Sequence, residues 1–161
     1  MRLLFTFASL AWCLAIGVRL AIIDIRTHRL PNRLVWRLGA GLWLMMGMWA
    51  VLERLDLAAG EGPDYAALWF TAVVAVLLAG WSLATPASIG MGDAKLVLAL
   101  APVFALANVT SELAALWLVS AGATATILIR RAVRRVPIGV PLAYGPFLLL
   151  AAPLALALGA G

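Results

Sequence analysis

Residues 89–96 read Ile-Gly-Met-Gly-Asp-Ala-Lys-Leu, and they place the carboxyl group of Asp93 directly before an apolar run from Leu96 to Ala107. An acidic side chain in such an apolar setting is costly, so a functional reason for it is expected. Gly90 and Gly92 have no side chain to keep another backbone away, and they allow the chain to turn as it enters a helix. The stretch therefore predicts a helix start that an incoming peptide can approach.

The chain around this stretch is apolar almost throughout. Hydrophobic residues make up 65% of it and charged residues 12%, whereas a soluble domain carries about a quarter charged residues. We therefore predict an all-α integral membrane protein. Its length of 161 residues suits one compact bundle, so residues 1–161 are expected to form a single domain. The only cysteine, Cys13, excludes a disulfide framework and a cysteine-rich zinc module.

Six apolar runs predict six transmembrane helices. Five of them have the roughly 17 to 20 residues that a helix needs to cross a bilayer. The fourth is short, so its glycine-rich entry is expected to lie below the headgroups, shielded by other helices or lining a wet cavity. The first run has no cleavage region and is read as an uncleaved helix. The runs are 3–23, 34–52, 65–84, 94–107, 113–129 and 140–158.

The distribution of arginine predicts the orientation of these helices. The breaks after helices 1 and 5 are rich in arginine, whereas the break after helix 2 contains mainly acids. By the positive-inside rule, the odd-numbered breaks are cytoplasmic and both termini lie outside. Four tryptophans then fall near the two interfaces, as in an aromatic belt. These are Trp36 and Trp81 at the inner interface, and Trp49 and Trp69 at the outer one.

This topology divides the seven acidic residues into two groups. Asp24, at the end of helix 1, and Asp93, at the start of helix 4, both fall on the cytoplasmic side. Packing of helix 1 against helix 4 would bring these two carboxyl groups together. The other five acids fall in or beside outer loops and are read as solvated. They are Glu53, Asp56, Glu61, Asp64 and Glu112.

Two nearby carboxyl groups in a partly dry setting cannot both ionise cheaply, so they share a proton and provide an acid and a base at once. The ionised group can deprotonate a water molecule that attacks an amide carbon, while the protonated group assists the carbonyl oxygen and the leaving nitrogen. Asp24 and Asp93 are therefore the candidate catalytic pair of an aspartyl peptidase that uses no metal and no cofactor. The order in which they lose protons is left open, since the titration belongs to the pair.

Three segments resemble motifs of the type IV prepilin peptidases. Residues 24–32, Asp-Ile-Arg-Thr-His-Arg-Leu-Pro-Asn, are similar to the first aspartate motif of that family, and residues 90–96 resemble its Gly-x-Gly-Asp motif. Residues 141–148, Pro-Leu-Ala-Tyr-Gly-Pro-Phe-Leu, are similar to a segment of its last helix. The three motifs follow the order of the family on a six-helix pattern, and the resemblance spans most of the chain.

The resemblance implies a GxGD-type intramembrane protease in the cytoplasmic membrane of a bacterium or archaeon, with its active site facing the cytoplasm. The implied substrates are prepilin-like proteins of type IV pilus or secretion systems, which carry a short basic leader before an apolar helix. Asp24 and Asp93 correspond to the catalytic pair of the family. The longer members have an N-terminal segment with paired cysteines that is associated with methylation. This chain resembles the short form, so peptidase activity without methylation is expected.

Other residues of these motifs are candidates for supporting roles. Gly90 and Gly92 belong to the active-site loop itself. Pro31 and Asn32 either hold Asp24 or merely end a loop and start helix 2. Lys95 is two residues from Asp93 and so not on the same helical face.

That position makes Lys95 either an interfacial anchor or a charge that biases which aspartate keeps the proton. Tyr144, Gly145 and Pro146 are expected to break helix 6 within the membrane. They serve either helix packing or as a wall of the active-site cleft.

Several other functions are weighed against the peptidase. The single histidine, His28, excludes a His-Glu-x-x-His zinc protease and disfavours a Ser-His dyad. The basic loops could contact anionic lipid or nucleic acid. Topology already accounts for them, and they lack the interleaved aromatic residues that stack on bases. The expected partners are therefore the substrate and the lipid bilayer, and no nucleic acid.

Two non-proteolytic alternatives stay open. A proton-coupled transporter would use Asp24 and Asp93 as a relay, but it predicts acids near mid-membrane and a repeat between halves, and the sequence has neither. In a non-enzymatic subunit of a membrane assembly, the two acids would only cap helix ends. A protease closer to presenilin or signal peptide peptidase fits Gly-x-Gly-Asp but not residues 24–32.

Overall fold

The computed structural model describes residues 2–55, 57, 62–84, 90–134 and 143–159, and it contains six helices and no strand within these ranges. The all-helical prediction is therefore confirmed for this part of the chain. Of the predicted features, Asp56, Glu61, Ile89, Arg135 and residues 140–142 lie outside the described residues. The helices are α1 (Arg2–Thr27), α2 (Asn32–Arg54), α3 (Tyr65–Ala84), α4 (Met91–Leu106), α5 (Val109–Arg134) and α6 (Gly145–Leu158).

Four helices are long and apolar enough to cross a membrane: α1, α2, α3 and, within α5, the segment Val109–Ile129. These four indicate a multi-pass membrane protein. The fourth helix has 16 residues and is short, as predicted. The described α6 is also short, with 14 residues, because it begins at Gly145 rather than at residue 140. The Tyr144-Gly145-Pro146 sequence thus starts the described helix instead of breaking it.

The short helix α4 lies at the centre of the bundle, where it packs against all five other helices. Between Ala94 and Leu106 only Lys95 and Leu98 are exposed. A helix that is apolar on every side is stable when it is covered on every side. Small residues allow the neighbouring helices to approach closely, since a methyl group on Gly39 of α2 would lie 3.2 Å from the Cβ of Ala99.

Helix α1 runs antiparallel to α4. At one end of the bundle, Arg2 donates a hydrogen bond to the carbonyl oxygen of Leu106 across 2.9 Å. At the other end, the last turn of α1 meets the first turns of α4 and α6. The direct contact between α1 and α4 is small, and α6 packs against both helices. Asp24 and Asp93 therefore lie at the same end of the bundle, with α6 completing their surroundings.

The turn after α1 is formed by His28, whose φ of 50° lies in the left-handed region. Its N–H donates to the carbonyl oxygen of Asp24 across 2.8 Å, which is the pattern of a left-handed helix cap. The chain then reaches Pro31, whose carbonyl oxygen accepts hydrogen bonds from the N–H groups of Leu34 and Val35 in the first turn of α2. This sharp reversal keeps the segment after Asp24 against the end of the bundle.

Two predictions about single side chains are wrong. Trp49 does not belong to an exposed aromatic belt, because it is 3% exposed and its ring stacks on that of Phe5 with centroids 6.1 Å apart. Glu112 was read as solvated, but it is completely buried. In both cases the side chain faces a neighbouring helix. Trp36, Trp69 and Trp81 are exposed.

Candidate functional site

Asp24 is a buried acid in the last turn of α1, with 4% of its surface exposed. Its Oδ2 accepts a hydrogen bond from the backbone N–H of Gly145 across 2.9 Å. Gly145 is the first residue of α6, and the N–H groups of a first helical turn have no acceptor within their own helix. The positive end of the α6 dipole also favours a negative group there. The carboxyl group of α1 therefore serves as a cap for α6.

This contact requires glycine at position 145. A methyl group there would lie 2.7 Å from Asp24 Oδ2 and 3.1 Å from Leu30 Cδ2. The first of these distances is too short for a carbon and an oxygen that are not bonded. The lack of a side chain thus allows the α6 backbone to reach Asp24.

Asp93 lies in the first turn of α4 and is partly exposed. Its Oδ2 accepts a hydrogen bond from the N–H of Gly90 across 3.3 Å, and its own N–H donates to the Gly90 carbonyl oxygen across 3.0 Å. The site therefore combines a buried acid with a more accessible one at the same end of the bundle.

Leu30 joins the three motif segments. A methyl group on Gly92 would lie 3.1 Å from Leu30 Cβ, and one on Gly145 would lie 3.1 Å from Leu30 Cδ2. This leucine therefore packs against the glycine before Asp93 and against the glycine that binds Asp24. Sequence reasoning did not assign it a role, although its position in the first aspartate motif was the available signal.

Asn32 and Lys95 contact each other. The Lys95 ammonium donates to Asn32 Oδ1 across 3.2 Å, and both side chains are exposed. The contact joins the first residue of α2 to the first turns of α4. Both residues thereby hold the turn after Asp24 against the helix that carries Asp93.

Tyr144 connects the start of α6 to α5. Its hydroxyl lies 2.8 Å from the Oγ of Ser120, and its ring lies 6.3 Å from that of Phe147. Pro146 follows in the first turn of α6, where a residue without an N–H is tolerated. These contacts fix the position from which Gly145 reaches Asp24.

Within the ranges that the structure describes, no group of three or more histidine, cysteine, aspartate or glutamate side chains is arranged to hold a metal ion. Comparisons of the chain with protein-family models, with curated proteins and with solved structures find no match. The resemblance to the prepilin peptidases thus stays a prediction, and the function is inferred from the residues and their geometry.

Proposed function

We propose that the chain is an intramembrane aspartyl peptidase that removes the short basic leader of prepilin-like proteins at the cytoplasmic face of the membrane. The observation that carries this proposal is the position of Asp24. It is a buried carboxyl group at the same end of the bundle as Asp93, and Leu30 packs against both the glycine that binds Asp24 and the glycine before Asp93. A pair of this kind can hold one proton between two groups, as aspartyl peptidases require.

The proposed reaction uses the two groups in turn. The ionised carboxylate takes a proton from water, whose oxygen forms a bond to the carbon of the scissile amide. The protonated carboxyl group gives its proton to the carbonyl oxygen, and a tetrahedral diol forms. One diol hydroxyl then loses its proton to a carboxylate and the nitrogen gains one as the C–N bond breaks. The products are a carboxyl terminus on the leader and an amino terminus on the mature protein.

The proposal includes six membrane-spanning helices, outer termini and a cytoplasmic site. It is supported by the exposed arginines at the end of α1, such as Arg26 and Arg29, because positive residues are retained on the cytoplasmic side. In a Cys13→Ala background, cysteine at Arg29 should react with an impermeant thiol reagent only from the cytoplasm. Cysteine at Leu55, an exposed residue after α2, should react only from outside. The opposite labelling pattern would contradict the cytoplasmic site.

The activity is tested by co-expression with a prepilin whose leader ends in glycine, followed by mass spectrometry of the mature N-terminus. Asp24→Asn and Asp93→Asn should each reduce cleavage at least a thousandfold while the protein still inserts into the membrane. Asp64→Asn is the matched control, because Asp64 lies at the other end of the bundle. Its N–H donates a hydrogen bond to the carbonyl oxygen of Ala105, near the end of α4. Near-normal cleavage by either active-site variant would show that the paired-acid mechanism is wrong.

A structural role is the second candidate, and one observation favours it. Asp24 accepts an N–H from Gly145 and Asp93 accepts one from Gly90, so both acids cap helix starts. Asparagine keeps an oxygen acceptor and preserves such a cap, whereas alanine removes it. Folded but inactive asparagine variants support the peptidase. Full cleavage by the asparagine variants, with unfolding of the alanine variants, supports a purely structural role.

A further inference from the structure

Glu112 is a second buried acid, and the proposed peptidase reaction does not use it. It lies in the first turn of α5 and has no exposed surface. Its Oε1 is 2.6 Å from the Oγ1 of Thr71 in α3. Its Oε2 has no hydrogen-bond partner among the residues that the structure describes. Burying a charged carboxylate with one oxygen that accepts no hydrogen bond costs much free energy. A neutral carbonyl oxygen in that position costs far less.

The hydroxyl of Thr71 determines where the proton lies. Thr71 Oγ1 is 2.8 Å from the Ala67 carbonyl oxygen and 2.6 Å from Glu112 Oε1. A threonine hydroxyl has one hydrogen and can donate only once. Two such short oxygen–oxygen contacts need two hydrogens. The Ala67 carbonyl oxygen can only accept, so the threonine hydrogen points to it. The short contact to Glu112 then needs a hydrogen from the carboxyl group itself.

The charged groups near this site agree with a neutral Glu112. Asp64, just before α3, accepts hydrogen bonds from the N–H groups of Ala66, Ala67 and Val109, as an ionised carboxylate does. Val109 lies one helical turn before Glu112, so a second negative charge there would be repelled by the first. Asp64 Oδ2 accepts the N–H of Val109, the first residue of α5, so its charge lies at the same helix start as Glu112.

The other helices contribute few charges at this end. Arg2 of α1 donates to the Leu106 carbonyl oxygen. Residues 96–106 of α4 and all of α6 contain no ionisable side chain. Among the described residues, Asp64 is the acid that acts on Glu112 at the α3–α5 contact.

We infer that Glu112 is a neutral carboxylic acid whose hydroxyl donates to Thr71, so that a hydrogen bond with a titratable proton joins α3 to α5. The contact between these two helices is small, so a single internal hydrogen bond matters to it. This hydrogen bond lies near the end of α4. That end is about 20 Å from Asp93 along the helix, at a rise of 1.5 Å per residue. It is independent of the proposed peptidase activity.

Infrared spectroscopy tests where the proton is. The full chain in lipid nanodiscs, with Asp24→Asn and Asp93→Asn in place, should show the carbonyl band of a protonated carboxyl group at neutral pH. Glu112→Gln should abolish that band, and Thr71→Val should shift it because the hydrogen-bond acceptor is lost. Glu53→Gln, at a partly exposed acid, should leave it unchanged. A spectrum that Glu112→Gln does not alter would overturn the inference.

Thermal unfolding at different pH values tests how this proton affects stability. The folded protein holds a proton that an unfolded glutamate releases near its ordinary pKa of about 4.3, so the folded state binds more protons and stability falls as the pH rises. Glu112→Gln keeps an N–H donor for Thr71 and should remove this part of the pH dependence. An equal loss of stability with rising pH in Glu112→Gln and in the parent would contradict the proton link.

Discussion

The N–H of Gly145 donates to the carboxyl group of Asp24 across 2.9 Å, and this hydrogen bond joins residues 121 positions apart in the chain. It connects the end of the first helix to the start of the last. The acceptor is an oxygen of a candidate catalytic group, so the contact orients that carboxyl group as well as capping α6. The substitutions below separate these two effects.

Gly145→Ala should displace Asp24, because the added methyl group would lie 2.7 Å from its Oδ2. We expect prepilin cleavage to fall by at least a hundredfold and stability by about 1–3 kcal/mol, the usual range for overpacking. Gly122→Ala in α5 is the control, since nothing lies within 4 Å of its added methyl group. It should retain cleavage and gain up to about 1 kcal/mol of stability. Normal cleavage by Gly145→Ala would show that the position of Asp24 does not limit the reaction.

Leu30→Ala should lower cleavage more than its effect on stability explains. Leu30 contacts the glycines next to both acids, and its removal would let the two motif segments shift. We expect a stability loss of about 1–2 kcal/mol, below the range for a fully buried leucine, and at least a tenfold loss of cleavage. Leu34→Ala removes a partly buried leucine packed on the same core and should cost similar stability with near-normal cleavage. Equal losses of cleavage in the two variants would remove any special role for Leu30.

Tyr144→Phe should remove the hydrogen bond to Ser120, whose Oγ is 2.8 Å from the tyrosine hydroxyl. The expected cost is about 1 kcal/mol, measured by chemical or thermal unfolding in detergent. Ser120→Ala should cost about the same, and the double variant little more, because both changes remove one contact. Fully additive losses would mean that the two hydroxyl groups act separately.

His28→Gly should stabilise the turn after α1. The φ of His28 is 50°, a conformation that costs an ordinary L-residue about 1–2 kcal/mol and glycine nothing. We expect a gain of up to about 1 kcal/mol with cleavage retained, and a loss for His28→Val, whose branched side chain fits this region worst. Since the ring of His28 is exposed, a loss of cleavage in His28→Gly would reveal a role beyond the turn.

Sequence reasoning predicted the parts of this fold that depend on position along the chain. Hydropathy located the described helices, and the topology predicted from arginine counts put Asp24 and Asp93 at one end of the bundle, as the structure has them. The short α4 was also recognised, because its length is visible in the sequence. Helix position, helix length and loop charge can all be read along the sequence, because each depends only on local composition and charge.

The sequence did not predict properties that depend on which neighbour a helix face meets. Their places along the chain predict a solvated Glu112 beside an outer loop and a Trp49 in the outer aromatic belt. The packing of α3 on α5 and of α1 on α2 buries them instead. The hydrogen bond from Gly145 to Asp24 and the position of Leu30 likewise require the relative rotation of helices, which hydropathy does not encode.

The near-complete covering of α4 by its neighbours has a consequence for how the protein responds to lipid. The helix that carries Asp93 touches five protein neighbours, so changes in bilayer thickness or fluidity act first on the surrounding helices. Those helices can tilt to match a thicker or thinner membrane. Asp93 is thereby held mainly by protein contacts, whereas Asp24 lies on α1, one of the helices that can tilt, and keeps its place through the hydrogen bond from Gly145 of α6.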